Sequence, residues 1–248
     1  MGANENKKPG PKARKYVFGF LDETGLLHSP ETDAVFGLGL IVLHHPSMLH
    51  RAILNYRNKI RYFDEFKFEK VSLQNIRIYK GLFDAFFRCQ NSKFYSVLYD
   101  KRKLDIGKIY RGNHEKAYNC FVSRLIAHSL DISEYIVVLA DDVSTKKNDN
   151  FEKEIKLRIK RKARRNALFG ICRLESHAVG EIQMTDVLLG TIAYAFKIKY
   201  GIIAPSKNSA KLMLVKYLQQ LLGIKILSES FTKKMRGGSR FGVEEYFG

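Results

Sequence analysis

Short apolar runs and longer amphipathic stretches alternate along the chain, which is the pattern of strands followed by helices. Turn residues separate the first two apolar runs, so we expect those two strands to form a hairpin. The predicted strands cover residues 16–21, 34–43, 94–99, 135–140 and 168–174. The predicted helices cover residues 46–60, 73–88, 114–130, 183–200 and 209–222. This alternation predicts one α/β domain with a mixed five-stranded sheet flanked by helices.

Carboxylates stand at the ends of apolar elements, where packing does not require them. Asp22 follows the first predicted strand, and Asp141 and Asp142 follow the fourth. Asp186 interrupts a predicted apolar helix, where a charge is costly unless it is paired or binds a cation. Each residue also has an ordinary explanation as a turn or helix-cap residue. Three such positions on two strand ends and one helix nevertheless indicate a shared site.

Hard oxygen ligands gathered at one sheet edge suit Mg²⁺ or Mn²⁺, because these ions fill their remaining positions with water and substrate phosphate. Two such ions about 4 Å apart can activate a water and stabilise the leaving oxygen of a phosphodiester. The pattern therefore predicts a metal-dependent nuclease acting on DNA or RNA. Its catalytic carboxylates are Asp22, Asp141 and Asp186, and Asp142 is a further candidate metal ligand.

A second candidate lies in residues 63–70, where phenylalanines alternate with charges. In an extended conformation Glu65, Lys67 and Glu69 share one face. The motif supports an alternative, endonuclease-like catalytic site built on Asp22, Glu65 and Lys67, with Lys67 over the scissile phosphate. Its ordinary interpretation is an amphipathic edge strand.

The charge balance predicts a polyanionic partner. The 248 residues include 43 Lys and Arg against 25 Asp and Glu, so the net charge is +18. Nucleic acid is the commonest partner of such a protein, an anionic membrane is the next, and solubility alone is the simplest alternative. The excess lies in residues 1–15, 146–166 and 197–240, whereas the stretches that hold the candidate carboxylates are neutral overall. The nucleic-acid-binding candidates are Lys160, Arg161, Lys162, Arg164 and Arg165.

The predicted organisation is a basic N-terminal arm at 1–15, an α/β domain at 16–200, and a C-terminal helix and basic extension at 201–248 packed on that domain. The three cysteines are far apart, which favours a reduced cytoplasmic compartment over a disulfide framework or zinc knuckle. No apolar run approaches the roughly 20 residues of a bilayer helix, so we expect no membrane partner. Phosphate-loop, dinucleotide-binding and Gly-x-Ser-x-Gly motifs are absent from the sequence.

Four blocks in a fixed order resemble a known family. They read FLDETG at 20–25, EFK at 65–67, VVLADD at 137–142 and EIQMTDVLLG at 181–190. Over about residues 16–200 the chain resembles the bacterial and phage family called domain of unknown function 3800. Its members open with a hydrophobic-Asp-Glu-Ser-Gly turn and close with a Gln-x-x-Asp helix. Thr24 stands where the family usually has Ser.

That family is similar to ribonuclease H-like metal-dependent nucleases. The resemblance implies a ribonuclease H-like mixed sheet of five strands, with metal-binding carboxylates on the first and fourth strands and on a late helix. Carried over, it assigns metal binding to Asp22, to Asp141 or Asp142, and to Asp186, while residues 65–67 match the family's Glu-x-Lys. The alternative from another class is a non-catalytic nucleic-acid-binding component of a larger assembly, with another protein as partner.

Overall fold

The computed structural model describes residues 13–27, 34–141 and 150–246. They form an α/β fold in which a mixed sheet of seven strands is flanked by helices. The strands are β1 (Lys15–Thr24), β2 (Val35–Leu43), β3 (Ser92–Asp100), β4 (Glu134–Asp141), β5 (Leu168–Leu174), β6 (Phe231–Lys234) and β7 (Arg240–Tyr246). The helices are α1 (Pro46–Ile60), α2 (Ile76–Arg88), α3 (Ile106–Tyr110), α4 (His114–Ser129), α5 (Phe151–Ala163), α6 (Gly180–Lys199) and α7 (Ala210–Leu222).

The strand order across the sheet is β5-β4-β1-β2-β3-β7-β6. β1 pairs antiparallel with β2 and parallel with β4, so the predicted hairpin is confirmed. Helices α1, α2, α6 and α7 bury one face of the sheet, and α4 and α5 bury part of the other. All nine residues of β2 are buried because this strand has helices on both faces. The fold thus places the carboxyl ends of β1 and β4 side by side.

The five predicted strands are present, but the expected strand count is wrong because the C-terminal segment adds β6 and β7. β7 pairs in parallel with β3, and β6 pairs antiparallel with β7. The sequence of β6 is short and carries two lysines, so it has the composition of a basic tail. β6 pairs with β7, and β7 in turn pairs with β3, about 150 residues earlier in the chain, which no local pattern reveals.

The basic stretch before β5 forms an amphipathic helix, α5. Its apolar residues Phe151, Ile155 and Ile159 recur every four positions and are buried, while cations occupy the other faces. Among the described residues, no helix is long and apolar enough to cross a membrane.

Candidate metal centre

Three of the predicted carboxylates converge at the carboxyl ends of β1 and β4. The strands run parallel with Leu21 opposite Ala140, so Asp22 and Asp141 are the next residues on both. Side chains alternate along a strand, and the face that carries these two carboxylates is the one that α6 covers. Asp186 lies in the second turn of α6, which packs on β1 and β2. The structure therefore brings together positions more than 160 residues apart.

These carboxylates line one cavity of about 230 Å³. Six acidic side chains and one lysine share it, together with three uncharged polar side chains. The charged and polar lining residues are Asp22, Glu23, Glu65, Glu69, Asp141, Asp186, Lys67, Thr24, Ser176 and Gln183. The residues of the endonuclease-like alternative thus lie in the same cavity as those of the ribonuclease H-like arrangement.

Burial and neighbouring charges raise the pKa values of three carboxylates of this cavity, Asp22, Asp186 and Glu23. Burial raises the pKa of Asp22 well above its usual value, and the charges of Asp186 and Asp141 raise it further. Burial likewise raises the pKa of Asp186 to about 6, although the Phe68 N–H lowers it in part. Burial also raises the pKa of Glu23 to about 7. Like charges this close in a cleft are typical of functional sites.

Backbone N–H groups orient the three central carboxylates. The Glu23 N–H donates to Asp22 Oδ1 at 2.7 Å, and the Phe68 N–H donates to Asp186 Oδ2 at 2.9 Å. The Ser176 N–H donates to Asp141 Oδ1 at 3.1 Å. These bonds fix the orientation of the three side chains.

Gln183 ties together the segments around the cavity. Its Oε1 accepts from the Arg57 guanidinium at 2.6 Å and from the Phe66 N–H at 3.1 Å. Its Nε2 donates to the carbonyls of Ser176 and His177, each at 3.0 Å. These four contacts use the hydrogen-bonding capacity of the amide. Gln183 therefore holds α1, the connection at residues 61–75 and the segment after β5 in place, and it does not offer a free ligand atom.

The segment 63–70 is not the edge strand expected from its alternation. It is irregular up to Lys67 and then forms a short 3-10 helix, Phe68–Lys70. Lys67 Nζ lies 3.4 Å from Glu65 Oε2, and the Ser176 hydroxyl donates to Glu65 Oε1 at 3.2 Å. The close approach of this segment to α6 requires glycine at 190, since a Cβ there would lie 2.4 Å from the Phe68 ring.

The donor set has the chemistry that a hard divalent cation requires. Asp22 is only 7% exposed, and within the described part of the chain Glu23 Oε2 is buried with no hydrogen-bond partner. Buried carboxylate oxygens without a counter-charge are costly, and a cation would relieve that cost. Among the described residues, however, no three His, Cys, Asp or Glu side chains are already arranged to hold one ion. Asp142 lies outside the described residues.

Two further cavities flank the acidic one. On one side, a cavity of about 560 Å³ shares Glu23 and Phe68 with it and adds Tyr194, Lys197 and Lys211. On the other, a cavity of about 370 Å³ shares Glu65 and Gln183 and adds the side chains of His50, Arg57, Phe63 and His177. The acidic centre therefore lies between two regions that carry cations and aromatic rings, which the sequence reasoning missed because these residues are scattered over four elements.

The predicted nucleic-acid-binding cluster lies at the opposite end of the sheet from the carboxylates. Lys160, Arg161, Lys162 and Arg164 are exposed at the end of α5. Arg165 donates to the backbone carbonyls of residues 131 and 134, next to the start of β4. Since β4 spans eight residues, the two ends are about 20 Å apart.

Comparison of the chain with models of known protein families, and with curated protein sequences, finds no match in either set. The chemistry of the site therefore rests on its own residues.

Proposed function

We propose that this chain is a metal-dependent nuclease that hydrolyses phosphodiester bonds of DNA or RNA. The observation that carries the proposal is the convergence of Asp22, Asp141 and Asp186 from three separate elements, where burial and then the charges of the other two acids raise the pKa of Asp22. Burying several acids together is costly, and Mg²⁺ or Mn²⁺ bound by them would relieve that cost.

The cavity residues would divide the work as follows. Asp22, Asp141 and Asp186 would hold the ions, which when bound supply an activated water and stabilise the leaving oxygen. Lys67, whose side chain is 44% exposed, is placed to contact a substrate phosphate. The neighbouring Glu65 raises the pKa of Lys67 against the opposing effect of burial, so the ammonium stays charged. Lys197 and Lys211 extend positive charge away from the centre for flanking phosphates.

Membership of the ribonuclease H-like nucleases, through the domain of unknown function 3800, is part of the proposal. It is supported by the contiguous block of β1 to β5 in one mixed sheet and by carboxylates on the first strand, the fourth strand and a late helix. The two added strands lie beyond β3, at the side of the sheet away from the site.

The direct test is a divalent-ion screen with labelled single- and double-stranded DNA and RNA. We expect cleavage with Mg²⁺ or Mn²⁺ and none in EDTA. Asp22→Asn should lower the rate by more than about 100-fold, the range reached by losing an outer-shell partner of a metal. Its nucleic-acid binding should be unchanged or tighter, because one negative charge is removed. Glu175→Gln, at a side chain 74% exposed close to the site, is the matched control.

A preparation of Asp22→Asn that cleaves as fast as the wild type would contradict the assignment and point to a contaminating nuclease. The cleavage rate of Lys67→Met distinguishes the endonuclease-like alternative from the ribonuclease H-like arrangement. If the lysine is part of the core machinery, this variant should be as inactive as Asp22→Asn; if Lys67 only contacts a phosphate, it should mainly raise KM.

A non-catalytic nucleic-acid-binding role is the second candidate. It is favoured by the absence, among the described residues, of a preformed three-ligand metal arrangement. It predicts binding that weakens steeply with salt and no turnover with any divalent ion.

A further inference from the structure

Three aromatic rings form a compact triangular cluster on a partly exposed face of the sheet. Tyr16 on β1 is the cross-strand partner of Tyr135 on β4, and their ring centroids are 6.0 Å apart. Phe169 is the extra residue of a bulge in β5, and its ring stacks on Tyr135 at 5.4 Å and on Tyr16 at 5.9 Å. Tyr16 is 57% exposed and Phe169 is 48% exposed. Rings of this size are usually buried in a sheet.

The same face leads to the acidic cavity. Side chains alternate along each strand, so the face with Tyr16 also carries Asp22, and the face with Tyr135 also carries Asp141. Both intervals are six residues, or about 20 Å. On β1, Phe18 is 39% exposed, but Phe20 beyond it is buried under α6. On β4 the side chains on this face between Tyr135 and Asp141 are partly exposed, so a bound chain that started on the rings would approach the proposed metal centre along β4.

The charge around the rings is positive. The Arg165 guanidinium lies 4.9 Å from the centre of the Tyr135 ring, and that of Arg14 lies 5.6 Å from it. The four exposed cations at the end of α5 adjoin Arg165 in the chain. The nearby acids Asp131 and Glu134 are both bonded to Lys93 at less than 3 Å. The surface therefore combines π-faces with cations and offers little free negative charge.

We propose that Tyr16, Tyr135 and Phe169, with Arg14, form a stacking platform for single-stranded nucleic acid. The proposal rests on the proposed function, in which nucleic acid is the partner. It adds that the nucleic acid is single-stranded and names the residues that bind it. Bases in a duplex already stack on one another, whereas unpaired bases leave their faces free for aromatic side chains. The flanking arginines favour a polyanion over an apolar protein surface as the occupant.

The test is fluorescence anisotropy with labelled single-stranded DNA and RNA of roughly 12 nucleotides, within the usual site size, and with a duplex of equal length. All measurements are made in EDTA, so that cleavage plays no part. We expect the single strands to bind more tightly than the duplex. Tyr16→Ala and Phe169→Ala should each weaken single-strand binding about fivefold or more, the lower end for loss of one stacked base.

Two controls identify stacking as the cause. Tyr16→Phe keeps the ring and should bind as the wild type does, whereas Tyr16→Leu keeps apolar area without a π-face and should behave as Tyr16→Ala. Ile226→Ala, at an equally exposed side chain outside the platform, should have no effect. Because the affected rings are exposed, the variants should keep the wild-type Tm, which is measured in parallel.

Equal binding by Tyr16→Ala, Phe169→Ala and the wild type would overturn the platform, as would a preference for the duplex. A concentration-dependent dimer that Tyr16→Ala abolishes would also overturn it, in favour of a second copy of the chain as occupant. These outcomes are distinct from failure of the nuclease proposal. If the chain binds single strands through the rings but shows no metal-dependent cleavage, only the nuclease proposal is contradicted. If it cleaves nucleic acid but the ring variants bind as the wild type does, only the platform proposal is contradicted.

Discussion

Replacing Asp186 by asparagine should make the metal-free protein more stable above neutral pH. The pKa of Asp186 rises from 3.8 to about 6, first because the side chain is buried and also because Glu69 and Glu65 repel it. Each pH unit of that difference corresponds to about 1.4 kcal/mol. The ionised side chain therefore lowers the free energy of unfolding by about 3 kcal/mol. Asparagine removes the charge, and its side-chain oxygen can still accept the bond from the Phe68 N–H.

The pH dependence has a definite sign. A carboxyl with a raised folded-state pKa is favoured when protonated, so its stabilising contribution is full below pH 3.8 and is lost as the pH rises through about 6. The advantage of Asp186→Asn should thus be about 3 kcal/mol near pH 8 and about half of that near pH 5. Urea unfolding at both pH values in EDTA measures it, with Glu175→Gln as an exposed control that should change little.

Divalent ions at this concentration should cancel most of that difference in stability. At about 100 times its Kd, an ion that binds only the folded state adds about 2.7 kcal/mol. The wild type should gain this in Mg²⁺ or Mn²⁺, and Asp186→Asn should gain much less because a ligand is lost. An Asp186→Asn protein that is no more stable than the wild type near pH 8 in EDTA would refute the reasoning that burial and neighbouring acids destabilise the ionised side chain.

Two further predictions concern the scaffold. Lys93→Met should lower the free energy of unfolding, measured by urea titration, by about 3–5 kcal/mol. The reason is that Glu134, which is 1% exposed, loses the ammonium group that lies 2.6 Å from it. The double variant that also carries Glu134→Leu should recover most of this loss. Gly190→Ala should cost about 1–3 kcal/mol and slow cleavage, since the new Cβ displaces Phe68 and with it the N–H that orients the acidic site. Gly170→Ala, whose Cβ meets nothing closer than 3.8 Å, should be far milder in both assays.

Much of the fold and part of the site could be predicted from local pattern. The alternation of apolar and polar residues marks β1 to β5, because buried strands with turn residues between them have a strong local signature. The acidic strand ends were likewise visible, since a charge that closes an apolar run is unusual. Their convergence with Asp186 depends on parallel pairing of β1 and β4, which a hydrophobic pattern favours without specifying.

Other features had no local signal. Gln183 makes four contacts to three segments, and these contacts cannot be predicted from a single glutamine in an apolar helix. The aromatic cluster joins Tyr16, Tyr135 and Phe169 from three strands, and Phe169 reaches it only through a bulge. Segment 63–70 alternates like a strand, yet it has no neighbouring strand to pair with and closes on α6 instead. In each case tertiary contacts decided what the local pattern left open.

Buried acids elsewhere in this chain show how differently the cavity is built. Glu134 is bonded to Lys93 at 2.6 Å, and Glu245, 8% exposed, is bonded to Lys199 at 2.5 Å. Asp22 is as buried as Glu245, yet the neighbouring side chains that dominate its pKa are carboxylates. Of the other buried acids in the described residues, Asp100 is bonded to Arg102 and Glu181 contacts His50. The repulsion around Asp22 is therefore a cost that something outside the chain would have to relieve. A bound cation relieves it and at the same time lets a phosphate approach, so the instability of the acidic cavity and its proposed chemistry have one physical origin.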